Sequence, residues 1–311
     1  MQQVRWLMLI GWLGACGGST PERAHEPAAP IRNREPVPAL TGPPELPSFA
    51  EATRSELVEI PNRAAEGTPV LSAILSVPQG EAPFPIVILS HGAPRSSEAR
   101  ARPGRYETAQ RWFLQRGFAV LWLQRRGYGA SEGGYQESYE SCTDPLYLKA
   151  GRASASDVMA AGEWARAHPE LDHLGIVLVG QSAGGWASLS ADCQRLAGVR
   201  AVLNFAGGRG SRAAGENCGP ERLVEAARKL GVYAKVPSLW IYAENDGYFA
   251  PELSRAMFDA YQSATEARSE YVLFPAHGSD GHGLFSRKSG VKLWGPVVEQ
   301  FLQKHAPDLI D

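Results

Sequence analysis

The 311-residue chain has little of several things, and each shortage narrows what it can be. Its charges nearly cancel, 31 Lys and Arg against 33 Asp and Glu, for a formal net charge of −2. It therefore offers no concentrated basic face of the kind that nucleic acid demands. Its N-terminal apolar run, Trp6 to Leu13, is too short to cross a bilayer as a mature helix. It has only four cysteines, and no cluster of His, Cys and carboxylates has metal-ligand spacing, so neither a metal nor another cofactor is expected. No internal repeat is present, and no break is long enough to demand a second folded domain. What remains, 44% hydrophobic and 21% charged, lies in the ordinary globular range.

The first 53 residues differ from the rest. From Gly17 to about Thr53 the chain is punctuated by Pro21, Pro27, Pro30, Pro36, Pro38, Pro43, Pro44 and Pro47 and holds little apolar content. Such a stretch cannot bury enough surface to offset the ordering of its backbone, and it reads as a tether over 16–53. From residue 54 to 311, strand-like and helix-like pieces alternate. Leu57–Ile60 and Val70–Val77 read as an antiparallel pair; Pro85–Ser90, Phe118–Leu123, Leu174–Val179, Ala201–Phe205, Ser238–Ala243 and Glu270–Phe274 read as further strands. Helices fit 105–115, 150–167, 183 onward, 220–230, 251–263 and 290–304. This alternation predicts one α/β domain: a mainly parallel sheet of about eight strands, covered by helices on both faces.

One short stretch organises that domain. Gly180-Gln181-Ser182-Ala183-Gly184 follows the apolar run ending at Val179 and opens a helix. Small residues at 180 and 184 let the backbone reverse sharply, which would hold the Ser182 hydroxyl up on a strained turn, the G-x-S-x-G arrangement of a nucleophile elbow. In a parallel sheet the loops after the strands' carboxyl ends gather on one edge. There Ser182 would meet Asp246 and His282, in the chain order of an α/β-hydrolase triad. Serine is a poor nucleophile alone; His282 would take its proton and Asp246 would orient the imidazole. The amides of Ala183 and of Ala93, in His91-Gly92-Ala93, are the expected oxyanion donors. Glu244 is an alternative acid and His277 an alternative base, although Gly281 and Gly283 free the backbone at His282. His91 is read as a brace for the oxyanion loop, and Arg125-Arg126 as a solvated or structural pair. Tyr135, Tyr139, Tyr147, Arg209 and Arg212 are candidate pocket walls.

These pieces, with Arg126-Gly127-Tyr128-Gly129-Ala130-Ser131-Glu132-Gly133 and Tyr242-Ala243-Glu244-Asn245-Asp246, resemble the α/β-hydrolase superfamily and, within it, dienelactone-hydrolase-like members. Dienelactone hydrolase itself has a cysteine where Ser182 stands, so the resemblance implies esterase chemistry rather than dienelactone turnover. No large cap domain fits the length available. Leu13-Gly14-Ala15-Cys16, placed after the apolar run, resembles the bacterial lipobox. That resemblance implies a signal peptide over 1–15, lipidation of Cys16 and export, with Gly17 favouring the outer membrane. An exported chain meets an oxidising environment. Of the three cysteines beyond residue 16, Cys142 and Cys218 fall in loops at the site edge. Cys193 lies about 15 Å along the helix at 1.5 Å per residue. A Cys142–Cys218 disulfide is expected, with Cys193 left as a buried free thiol. The expectation is a monomeric, lipid-anchored serine hydrolase of small-molecule carboxylic esters, which meets the membrane only through its anchor. A peptidase or amidase of the same fold and a non-catalytic envelope-binding lipoprotein are the alternatives.

Overall fold

The apolar runs become strands in register with their neighbours. The computed structural model describes residues 46–94 and 96–310. The expected signal peptide, the lipidation at Cys16 and the tether through residue 45 lie outside the described residues. The end of that tether needs correction: Phe49 is buried, and the first strand, β1 (Ala52–Pro61), starts before residue 54. One aromatic among the prolines is enough to dock the segment, and Arg111 covers its ring at 5.7 Å. β2 (Val70–Pro78) returns antiparallel to β1.

The continuous apolar runs form β3 (Phe84–Ser90), β4 (Ala119–Leu123), β5 (Leu171–Gln181) and β6 (Val199–Phe205). After a small hairpin, β7 (Ser211–Ala213) and β8 (Glu216–Asn217), come β9 (Ser238–Ala243) and β10 (Ser269–Phe274). The main sheet has eight strands in the order β1-β2-β4-β3-β5-β6-β9-β10. β2 meets β4 antiparallel, and every pair from β4 to β10 is parallel.

Between the strands lie α1 (Ser97–Arg100), α2 (Glu107–Leu114), α3 (Tyr147–Ala167), α4 (Ala183–Cys193), α5 (Pro220–Tyr233), α6 (Pro251–Gln262) and α7 (Lys288–His305). The two-residue pleat sorts the strands' side chains. Ile86, Ile88, Ile176, Leu178, Trp240 and Tyr242 face α3 to α6, meeting Val158, Trp186, Leu223 and Met257. Val87, Leu89, Val177, Val179, Leu239 and Ile241 face α2 and α7, meeting Trp112, Phe113, Trp294 and Phe301. Burial on both faces explains why these strands read as unbroken apolar runs. Among the described residues no cap domain interrupts the order.

The sheet order reverses at β3, with β4 on one side and β5 on the other. Such a switch point opens a crevice at the strands' carboxyl ends, where ligands bind in open α/β sheets. A disulfide joins Cys142 to Cys218 beside it, with the Cα atoms 4.7 Å apart. Cys193 corrects an expectation: it is buried, but disulfide-bonded rather than a free thiol.

Candidate active site

The reversal after β5 is held by sterics and by backbone hydrogen bonds. A Cβ at Gly180 would lie 2.2 Å from the Gly184 carbonyl carbon, and one at Gly184 would lie 2.1 Å from the Ser90 oxygen. Only glycine lets the turn close at both places. Between them Ser182 takes φ 57° and ψ −122°. Holding an L side chain there costs about 1–3 kcal/mol, which the surroundings must supply. Ser182 N–H donates to the Phe205 carbonyl at 2.9 Å, and the Ser182 carbonyl accepts from Trp186 and Gly208 at 3.1 and 3.2 Å. Among the described residues the Ser182 hydroxyl makes no hydrogen bond, and it opens onto a cavity of about 610 Å³.

Asp246 and His282 come together from two loops. His282 Nδ1 lies 3.1 Å from each Asp246 carboxylate oxygen. The carboxylate is fully enclosed and accepts the amides of Tyr248 and Phe249 at 2.8 and 3.0 Å, so its charge is met by backbone dipoles. Asp280 staples the two loops, accepting from His282 N–H at 2.9 Å and from Gly247 N–H at 3.0 Å. The Tyr248 ring lies against the imidazole, with centroids 4.2 Å apart. His282 lines the same cavity as Ser182, without a direct hydrogen bond between the two. The rivals point elsewhere. Glu244 is exposed. The His277 Nε2 faces Ser289 at 3.2 Å, and its backbone N–H donates to Asn245 Oδ1.

Two residues that line the cavity, Ala183 and Ala93, have amides with no partner among the described residues. Ala183 is the first residue of α4, so its N–H has no intrahelical acceptor. The other is Ala93; its neighbour, Gly92 N–H, is taken by Tyr106 Oη at 2.9 Å. His91 braces this loop, as expected. It is fully buried; its Nε2 accepts from Arg125 N–H at 3.2 Å, and Nδ1–H donates to the Gly92 carbonyl at 2.7 Å. Burial, then the Arg125 charge, pushes its pKa down to about 3, so the ring stays neutral.

Behind Arg209, which lines the cavity, lies a cluster of buried charge. Arg125 grips Glu137 through Nε and, at 3.3 Å, through Nη2. Arg209 Nη2 reaches the same carboxylate at 2.8 Å, and Tyr128 donates to it at 3.0 Å. All three charged residues are buried. Burial works to raise the Glu137 carboxyl, but the two arginines outweigh it and hold the group below the usual carboxylate range. Arg126 pairs instead with Asp157 at 2.6 Å, so both arginines of the pair are structural rather than solvated. Tyr135, Tyr139, Arg209 and Arg212 line the cavity, with Arg100. Tyr147 does not: it is buried and donates to the Cys218 carbonyl, bracing the disulfide loop from behind. Sequence reasoning gave no role to Gln181, Tyr106, Glu137 or Asp280. Gln181 and Asp280 sat inside motifs, Gly180–Gly184 and Asp280-Gly281-His282, whereas Tyr106 and Glu137 carry no pattern.

The model of the X-Pro dipeptidyl-peptidase (S15 family) matches residues 67–266, a span from the β1–β2 turn to the turn between α6 and β10. The chain belongs to that family. Among solved structures, an esterase from Pyrococcus furiosus is similar at 17% identity and a TM-score of 0.58, covering 81% of this chain and 93% of that one. A dienelactone hydrolase from Anabaena variabilis is similar at 19% and 0.53, covering 81% and 98%. Dipeptidyl peptidase 4 from Porphyromonas gingivalis is similar at 16% and 0.59, covering 82% of this chain but 36% of that one. At these identities the structural likenesses establish the α/β-hydrolase fold. Family and fold together make the chain a serine hydrolase.

Proposed function

We propose that the chain hydrolyses carboxylic esters through an acyl-enzyme on Ser182. His282 Nε2 takes the hydroxyl proton as Ser182 Oγ attacks the ester carbonyl, and Asp246 holds the imidazole with its proton on Nδ1 and stabilises its charged form. The amides of Ala93 and Ala183 receive the developing oxyanion. Collapse expels the alcohol, which leaves with the proton from His282; water then repeats the sequence and frees the acid.

The family's description names a peptidase, and the observation that favours esters over its dipeptidyl substrates is the charge of the cavity. The charged residues that line it are Arg100, Arg209 and Arg212, and no Asp or Glu does so among the described residues. A dipeptidyl substrate carries a free N-terminal ammonium, which such a wall repels. The Cys142–Cys218 disulfide supports an exported, oxidising setting, and we extend the proposal to a monomer at the cell envelope.

A fluorophosphonate probe should label the wild type and not Ser182→Ala. p-Nitrophenyl esters should turn over at least about 100-fold faster than Gly-Pro-p-nitroanilide with a free amine. Labelling retained in Ser182→Ala would remove the nucleophile assignment, and preferential cleavage of the free-amine anilide would restore the peptidase reading.

A further inference from the structure

Three loops that leave the sheet from different strands carry the groups named above, and one chain of side-chain hydrogen bonds joins them. Gly92 N–H donates to Tyr106 Oη at 2.9 Å. Tyr106 Oη donates to Gln181 Oε1 at 2.8 Å. Gln181 Nε2 donates to the His282 carbonyl at 3.0 Å. The strap thus runs from the loop after β3, past the start of α2, through the residue preceding Ser182, to the backbone of His282. Its polarity is fixed by its ends. A backbone N–H can only donate and a backbone carbonyl can only accept, so the tyrosine proton and the carboxamide orientation have one consistent arrangement.

We propose that Tyr106 and Gln181 are positioning residues, which hold the Ala93 amide and the His282 imidazole in register with Ser182. The inference rests on the assignment of the reaction to Ser182. Three observations support it. With Gly92 N–H spent on Tyr106, the next amide, that of the cavity-lining Ala93, is the one left without a partner among the described residues. With the His282 carbonyl on Gln181 and its N–H on Asp280, that residue's backbone is held on both sides, so the imidazole does not depend on Asp246 alone. Tyr106 itself is fixed: it sits at φ 54° and ψ 41°, a left-handed conformation, and its ring packs edge-on against Phe285 at 5.1 Å. Burial pushes its hydroxyl up to about 12, which keeps the donated proton in place near neutrality. Groups that fix donors relative to a nucleophile act on the transition state more than on the bound substrate, so their loss falls on kcat rather than KM.

The test uses the purified chain, p-nitrophenyl acetate and a trifluoromethyl ketone, which adds to an active-site serine as a tetrahedral oxyanion. Tyr106→Phe keeps the ring and removes only the hydroxyl; Gln181→Met keeps the length and removes both polar atoms. Each should lower kcat about 10- to 100-fold with KM little changed. The ketone Ki should rise in proportion to the loss in kcat/KM, a correlation that loss of packing alone would not produce. The double variant should be no slower than the slower single, because either break opens the same strap. If Tyr106→Phe does not fold, Gln181→Met carries the same kinetic test. An unchanged kcat with a raised KM would make these residues substrate contacts, and additive losses would make them separate packing sites; either outcome overturns the strap. Ser182→Ala is run beside them. Turnover retained there overturns the underlying assignment, whereas a silent Ser182→Ala with full kcat in Tyr106→Phe overturns the strap alone.

Discussion

Two walls of the one cavity are fixed by opposite means. On the side of Ser182, Asp246 and His282, backbone groups do most of the holding: the amides of Tyr248 and Phe249 serve the carboxylate, and the carbonyls and amides around Ser182 hold its strained turn. On the other side, Arg125, Glu137 and Arg209 are held by one another's charges in a buried cluster, beside the Cys142–Cys218 disulfide. Backbone dipoles remain when a side chain changes. A closed ion cluster strands a charge when any member is lost. The first wall should therefore be mutable with loss of rate alone, and the second only with loss of the fold's stability.

The largest expected effect is on rate. Asp246→Asn removes the charge opposite His282 Nδ1 and should lower kcat about 10³-fold. Unfolding in urea should move by no more than about 1–2 kcal/mol, because the two amides keep an acceptor. A variant that lost stability and rate together would erase the contrast between the walls. Glu137→Gln tests the other side. It leaves Arg125 and Arg209 buried without a counter-charge and should destabilise the fold by about 3–5 kcal/mol in urea. Its surviving activity should show a raised KM, since Arg209 lines the cavity. Replacing both Cys142 and Cys218 by serine opens a 76-residue separation and should cost about 2–4 kcal/mol, read by the same measurement.

The contrast also explains what could be read in advance. The parallel sheet was legible because two-sided burial writes itself as apolar runs, and Ser182, Asp246 and His282 stood out because each needs a particular residue type just past a strand. The structure brings Asp246 and His282 into hydrogen bonding and sets Ser182 on the same cavity. Glu137 was not legible: its partners lie at 125 and 209, and no local periodicity marks a carboxylate that answers two distant arginines. Tyr106 was hidden likewise, since its contacts at 92 and 181 exist only after β3 and β5 have paired. Tyr147 misled for a related reason. An aromatic in a loop-to-helix junction can face the cavity or the core, and the Cys218 carbonyl behind it settled the choice.

The smallest expected effect separates the walls by pH. His91 stands where they meet, bonded to the Gly92 carbonyl on one side and to Arg125 on the other. Its pKa falls from 6.5 to about 3 on folding, so between those values the unfolded chain binds more protons than the folded one. The contribution is fully present above about pH 6.5 and is lost as pH falls, by about 2–3 kcal/mol on reaching pH 4.5. Asp192 acts in the opposite sense: burial pushes its carboxyl from 3.8 up to about 6, so the folded chain binds the extra proton and gains stability as pH falls through that window. The wild type should consequently show a shallow profile between pH 6.5 and 4.5. His91→Asn removes the falling contribution and leaves the rising one, so its urea stability should increase on acidification across the same range. Parallel profiles for the two proteins would mean that His91 titrates as it does in the unfolded chain, and that the brace between the walls is not held by a buried neutral ring.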